Sequence, residues 1–427
     1  MTDPKETQRN FNLGVLNGLF FVVGETLIDP TLVMAAFISH LTHSELWVGL
    51  VVPILDYTWF LPQLWVSGHL QSQPRKMPLY QLTAMVRAGS WVALTAAIFL
   101  IPNENLLLAA FVIMLSIAAI GAGFSGLSFL EIVGKTIPPQ QRGLFFAWRL
   151  TLAGVVGIGA SGVVQWLLGD HSPVTFPNNF GLLFLAATLL FFGGWGSFLQ
   201  VREPADAQVL PTASFGQQLQ RALQILRVDS NYRNFLILRS LLMIAGAGVP
   251  FYAIYVQHQL GGSLGMIGIY LATFKAANLL ATIFLGRVSA RWGYHRLMTV
   301  STGAGILMTG MVLGLVVVAA TTGVTGWAAA WWLVPVFIVN GIRESGIGIA
   351  GQSLLLEIAP SNERSLYLGF TNTFLGLVLF VTSFSGLLVE TVGFAGLFIV
   401  TLVAYLLALN SASRLTGESY PAASTPR

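Results

Sequence analysis

Residues 138–145 read Pro138-Pro139-Gln140-Gln141-Arg142-Gly143-Leu144-Phe145, and residues 360–367 read Pro360-Ser361-Asn362-Glu363-Arg364-Ser365-Leu366-Tyr367. The leading proline and the arginine both recur at an offset of 222. A second pair lies upstream of each copy. Gly68-His-Leu-Gln-Ser-Gln-Pro-Arg75-Lys76 is echoed by Gly286-Arg-Val-Ser-Ala-Arg291-Trp-Gly293-Tyr-His-Arg296, with the leading glycines 218 apart. Each basic segment follows a long apolar run. Two different segments recurring at nearly one offset mark the chain as two related halves.

The composition says what those halves are made of. Of 427 residues, 55% are hydrophobic and only 9% are charged, where an ordinary soluble domain is about 25% charged. So few charges exclude a soluble enzyme, a disordered chain and a nucleic-acid binder, and indicate a polytopic membrane protein. There is no cysteine, which removes disulfides, thiolate metal sites and cysteine nucleophiles. The scattered histidines offer no metal site. No phosphate loop or nucleotide-binding domain can be assembled, so no cofactor and no ATP-driven step are expected.

The expected fold is all-α, with twelve transmembrane helices arranged as two pseudo-symmetric six-helix bundles. The spans fall at 11–38, 46–67, 78–101, 106–133, 143–168, 180–200, 234–256, 265–286, 297–320, 327–356, 366–389 and 394–411. Residues 1–10 form an N-terminal tail, 11–200 the first bundle, 201–233 a linker, 234–411 the second bundle and 412–427 a C-terminal tail. In the linker, Phe215, Leu219, Ala222, Leu223 and Leu226 keep helical spacing beside Arg221 and Arg227, the pattern of an amphipathic helix on a membrane surface.

Lysine and arginine set the orientation. Sixteen of the 21 lie in the tails and in one alternate set of loops, five lie within spans, and the other loops have none. The positive-inside rule then places both termini in the cytoplasm, in a bacterial inner membrane.

At the repeated segments the chain resembles the major facilitator superfamily. That family's loop after helices 2 and 8 reads G-x-x-x-D-R-x-G-R-R, and the second copy here matches it at Gly286, Arg291, Gly293 and Arg296. Ala290 and Ser72 stand where the family has an acid. Glu357, Pro360 and Arg364 fit its E-x-x-P-x-x-x-R segment. The resemblance implies helices 1, 4, 7 and 10 around a central cavity. It also implies a cytoplasmic gate built from Glu131, Arg142, Glu357 and Arg364 with Gly286 and Arg291.

Ionisable groups deep in a span cost roughly 2.5–3.5 kcal/mol each on insertion scales, so those that persist pair or line a wet cavity. Glu25 and Asp29 are four residues apart in the first span, which puts them on one helical face. Two such carboxylates suit proton coupling, because both cannot ionise cheaply. Pro30 permits a kink beside them. Arg343, with Glu344 and Asn340, is expected to bind substrate. Adjacent residues point about 100° apart, so Arg343 and Glu344 should not satisfy each other completely. Lys275, Tyr252 and Tyr255 complete the expected substrate site, and Asp56 with Arg87 is read as a buried ion pair.

The function these features favour is secondary active transport of a small organic solute by alternating access, as a proton-coupled exporter of antiporter type. The alternatives are proton-coupled uptake of an anionic solute and lipid or lysolipid transport on the same scaffold. The partners are the solute, protons and the bilayer; no nucleic acid is expected, and a monomer is. Single cysteines placed near His40, Asn103, Pro173, Gly261, Thr322 or Gly393 should react with an impermeant maleimide in intact cells. Those near Arg75 or Arg142 should stay unlabelled, and the reverse pattern would invert the orientation.

Overall fold

The computed structural model describes residues 4–42, 44–60, 66, 70, 73–206, 215–360 and 363–414. They are helical throughout, with no strand among the described residues. The helices are α1 (Pro4–Leu27), a π-helical turn (Pro30–Met34), α2 (Ala35–Leu41), α3 (Glu45–Phe60), α4 (Met77–Leu100), α5 (Glu104–Thr136), α6 (Pro139–Leu168) and α7 (Asn178–Phe198). After these come α8 (Phe215–Val228), α9 (Ser230–Gly246), α10 (Val249–Leu260), α11 (Met266–Trp292), α12 (Tyr294–Thr322), α13 (Gly326–Ile358), α14 (Arg364–Thr382) and α15 (Ser385–Ala412). Among the described residues, ten helical stretches are long and apolar enough to cross a membrane, and the apolar parts of α3 and α14 are shorter.

Local chemistry explains the ends. Asn103 lies between α4 and α5 and accepts from Leu106 N at 3.0 Å, satisfying a donor that the helix start leaves open. Gly293 separates α11 from α12 at φ 76°, a left-handed conformation that a Cβ resists. This is a physical reason for glycine at that place in the repeated basic segment. In the first copy of that segment, residues 68, 69, 71 and 72 lie outside the described residues.

Gly393 breaks α15 at φ 74°. On its early side Glu390 accepts from Ser44 Oγ and from Leu46 N, at 2.5 and 3.2 Å. On its late side Phe398 packs on Tyr252 and Ala412 accepts a bond from His295. The chain therefore doubles back at Gly393, and Phe394 onward forms an antiparallel limb.

Three parts differ from the sequence-based expectation. Residues 4–10 extend α1 rather than forming a tail, because Asn10 exchanges hydrogen bonds with the backbone of Arg202 at 3.3 Å each way. The segment after α7 is fastened to the first bundle: Glu203 pairs with Lys135 at 2.7 Å and caps the N-H groups of Lys76 and Met77. Asp206 pairs with Lys76 and Lys135 at 3.0 and 2.8 Å. Partial burial works against its charge, but the two lysines hold its carboxyl below the usual carboxylate range. Finally, α8 spends part of its apolar side on protein, while Leu223 stays exposed. Ala222, Leu219, Ile225 and Leu226 turn onto the second bundle, and Arg221 pairs with Glu363.

The bundles meet at the charge-poor face and part toward the basic one. Among the described residues, every hydrogen bond or ion pair joining them lies at the charge-poor end or at the Lys275–Asp29 pair beneath it. Glycines allow this closure. A Cβ on Gly49 would stand 2.5 Å from Gly386 N, and one on Gly265 would stand 2.8 Å from Gly169 Cα. Gly49 and Gly265 are 216 residues apart and Gly169 and Gly386 are 217 apart, so the two contacts are copies of one. Small residues let membrane helices approach backbone to backbone. Each contact carries a polar clamp: Glu390 holds the start of α3, and Asp170 accepts from Ser263 before α11 at 2.9 Å.

A Cβ on Gly386 would lie 1.9 Å from the carbonyl oxygen of Glu45, so the seal has no room for it. Gly386→Ala should open the charge-poor face. A cysteine placed at Thr31 in the cavity should then gain reactivity toward an impermeant maleimide added from that side. Unchanged reactivity would show that the seal does not depend on this contact.

Candidate functional site

The α1–α2 and α9–α10 stretches are both broken, at Pro30 and at Gly246 to Pro250. The two prolines are 220 residues apart. Interrupted helices in corresponding positions of a repeat mark binding sites in transporters, because they expose backbone groups and helix ends at mid-membrane. Both breaks open onto one cavity of about 580 Å³ between the bundles, within the roughly 300–1,000 Å³ of small-molecule sites. Its charged wall is Asp29, Arg239, Lys275, Arg343 and Glu344, with Asn278, Asn340 and Ser385 as polar company and Phe60, Phe251, Phe274 and Phe337 as apolar surface.

Asp29 does two things at once. Its Oδ1 accepts from Thr31 N and Leu32 N at 3.1 and 3.2 Å, capping the π turn. Its Oδ2 lies 3.6 Å from Lys275 Nζ on the other bundle. Because α1 ends at Leu27, the four-residue spacing of Glu25 and Asp29 does not define one helical face, although the charge of Asp29 acts on Glu25. Glu25 stands one turn nearer the basic face and is exposed, although it lies deep in the span. It has no hydrogen bond or ion pair among the described residues; the charges acting on it are Lys275, Arg87, Arg149 and Asp29.

Arg343 is buried and its guanidinium is committed. It donates twice to Asn340 Oδ1, at 3.1 and 2.9 Å, bonds to Glu344, and lies 5.8 Å from the Tyr405 ring centre. The two neighbours bond, but neither satisfies the other completely: Arg343 makes its other two hydrogen bonds to Asn340. Glu344 stays 46% exposed, on the cavity wall.

Tyr252 and Tyr255 do not line the cavity. Tyr252 is fully buried, bonded to Thr309 Oγ1 at 3.0 Å and packed edge-on against Phe398. Tyr255 sits between Phe394 and Phe398. The break before α10 turns this aromatic face onto α15.

Arg87 donates to Ser125 Oγ at 3.0 Å and lies 5.3 Å from the ring centres of both Phe21 and Trp195. The side chain of Asp56, its expected partner, lies outside the described residues. Of the expected gate, Glu131, Glu357, Gly286 and Arg291 are exposed. Arg142 folds back onto the carbonyls of Ile137 and Gly134, and the side chain of Arg364 lies outside the described residues. None of the described gate groups bridges the bundles, as fits a parted basic face.

Three residues escaped the sequence reading. Arg239 on α9 reaches the cavity and makes one hydrogen bond, to Ile347 O at 3.5 Å. An arginine inside an apolar run was the available signal, but its place near a predicted span end hid it. His258 is not simply exposed at the surface. It bonds with Ser39 at 2.8 Å and Glu45 at 3.1 Å across the seal. Asn17, with no sequence signal at all, holds Arg149 at 2.8 Å.

No family model matches the sequence, and no curated protein matches it. Solved structures do. A POT family transporter in complex with a thioalcohol-conjugated peptide superposes with a TM-score of 0.73 at 13% identity, covering 96% of this chain and 97% of that one. A mutant of the nucleoside transporter NupG gives 0.72 at 13% identity, over 95% of this chain and 99% of that one. A D-xylose–proton symporter gives 0.70 at 14% identity, over 96% and 99%. The fold is that of the major facilitator transporters, and this chain is an integral membrane protein of that architecture. All three matched proteins are transporters and none is an enzyme.

Removing the Arg343 guanidinium should strand Asn340 and Glu344. Breaking a buried pair costs about 3–5 kcal/mol, and less is expected here because Glu344 is 46% exposed. Arg343→Met should lower the melting temperature of the detergent-purified protein, and Arg343→Met with Glu344→Gln should recover part of the loss. Equal loss in both would mean that the pairing contributes nothing.

Proposed function

We propose that this chain is a proton-coupled secondary transporter for a small polar organic solute, working by alternating access as a twelve-span monomer. Ten long apolar helices, two shorter ones and the reversal at Gly393 support the twelve crossings. The basic face, which carries the lysine- and arginine-rich loops, faces the cytoplasm of a bacterial inner membrane. The state described is then open to the cytoplasm and sealed outside by the paired glycine contacts.

The observation that carries the coupling is Glu25: a carboxylate deep in its span, without a hydrogen bond or ion pair among the described residues, and acted on by cations of both bundles. Asp29 is the poorer proton carrier, because its oxygens already cap the π turn and face Lys275. Rocking of the bundles would carry Glu25 between two aqueous sides, and the loss or gain of its proton would change how strongly Lys275, Arg87 and Arg149 hold it.

The charged wall of the cavity favours a polar solute over a lipid. The same cycle serves export or uptake, according to which gradient is steeper. In proteoliposomes, Glu25→Gln should abolish flux driven by an imposed pH gradient and spare exchange of solute down its own gradient. The amide matches the protonated acid in size and polarity but cannot titrate. Asp29→Asn should retain pH-driven flux. Full pH-driven flux in Glu25→Gln would remove Glu25 from the coupling.

A further inference from the structure

The cavity wall carries three basic residues, Arg239, Lys275 and Arg343, against two acids, Asp29 and Glu344. With every group ionised the wall holds one positive charge too many. An uncompensated charge in a membrane interior is among the costliest arrangements a protein can keep, and a cavity open to water lets a solute relieve it.

The basic groups are not equally available. Arg149 is seated on Gly14 O and Asn17 and lies 4.5 Å from the Phe129 ring centre. Arg87 is sunk among Phe21, Trp195 and Ser125, and Arg343 is taken by Asn340 and Glu344. Two cations on the cavity wall remain under-used. A guanidinium offers five N-H donors, and Arg239 uses one, in a bond at the 3.5 Å limit. The acid acting on it is Glu344, which is already bonded to Arg343. Lys275 has Asp29 at 3.6 Å, beyond ordinary hydrogen-bond length.

Resting on the transport reading above, we propose that the transported solute is a small organic anion, bearing a carboxylate or phosphate that Arg239 binds and that competes with Asp29 for Lys275. The competition links binding to movement. Lys275 belongs to α11 of the second bundle and Asp29 to the broken first helix of the other, so an anion that draws Lys275 away loosens a cross-bundle pair. The planar fork of Arg239 suits the two oxygens of a carboxylate or phosphate, and the phenylalanines of the wall suit an organic remainder. Asp29 carries out its capping through Oδ1, a role that an asparagine preserves, so its charge can be removed without undoing the π turn.

A thermal-shift titration of the full chain in detergent tests this. The probes are mono- and dicarboxylates and phosphate monoesters, each matched to its neutral amide or alcohol and to an amine of the same size, at constant ionic strength. The expected result is stabilisation by members of the anionic set alone. Affinity should weaken about tenfold or more in Arg239→Gln, the scale of losing one hydrogen bond to a charged group. It should weaken also in Gly351→Ala, where a Cβ would lie 2.5 Å from Arg239 Nη1 and push the guanidinium aside without changing charge. Gly348→Ala, whose Cβ would meet nothing within 4 Å, should bind as the parent does. Asp29→Asn should bind more tightly, by a factor of several, a change of sign that general destabilisation does not produce. Preferred binding of neutral or amine probes overturns the proposal. So do anion affinities unmoved by Arg239→Gln and Gly351→Ala, weaker binding in Asp29→Asn, and a blank in every set. Flux separates the two levels. Anion binding without proteoliposome flux would sink the transport reading and leave the site standing, and flux of a neutral solute would do the opposite.

Discussion

A charge in the middle of a bilayer must be hydrated, paired or wrapped, and this single constraint orders most of the structure. Hydration falls to Glu344 on the cavity wall and to Glu25, exposed in its span. Pairing falls to Asp29 with Lys275 and to Arg343 with Glu344. Wrapping falls to the remaining arginines, and it uses glycine. A Cβ on Gly18 would stand 1.9 Å from the stem of Arg149, one on Gly121 would stand 2.8 Å from that of Arg87, and one on Gly351 would stand 2.5 Å from Arg239 Nη1. Each of these arginines lies over a neighbouring helix at a place where that helix has no side chain. The groove lets the stem pack closely while the guanidinium reaches carbonyls, amides or aromatic faces.

The same absence of side chains governs the contact between bundles. Without a hydrophobic drive between helices in lipid, association relies on close packing and on polar contacts. The seal at the charge-poor face uses both. Gly49 meets Gly386 and Gly265 meets Gly169, each beside a carboxylate that holds a helix start in the opposite bundle. A carboxylate at a helix N-terminus is favoured by the open N-H groups and the helix dipole. Yet such contacts are exposed to water and individually weak, so the seal is firm enough to close one side and light enough to part in a transport cycle.

Duplication explains why these features come in pairs. The helix breaks at Pro30 and Pro250, the two glycine contacts and the basic segments all recur at offsets between 216 and 222. The charges do not follow that symmetry. On the cavity wall Arg239, Lys275 and Arg343 all belong to the second bundle, and the first contributes Asp29. The scaffold is thus nearly symmetric, as rocking between two states requires, while the recognition surface is one-sided.

Hydropathy determined the all-helical membrane class from sequence alone, and the alternation of lysine and arginine with the repeated Pro-Arg and Gly-Arg segments led to the reading of twelve spans in two halves. These are properties of transfer free energy and of local spacing, and they survive without knowledge of any contact. The deep ionisable residues were legible for the same reason, since each stands out against an apolar run. Their partners were not. The break at Asp29-Pro30 separated Glu25 from Asp29, and the break before Val249 turned Tyr252 and Tyr255 onto α15. Arg343 proved to share its guanidinium between Asn340 and Glu344, and an arginine placed near a span end proved to reach the cavity as Arg239. Each outcome depends on which helix lies opposite, at what depth and at what angle. Residues more than a hundred positions apart decide that together, and only the tertiary structure brings them into contact.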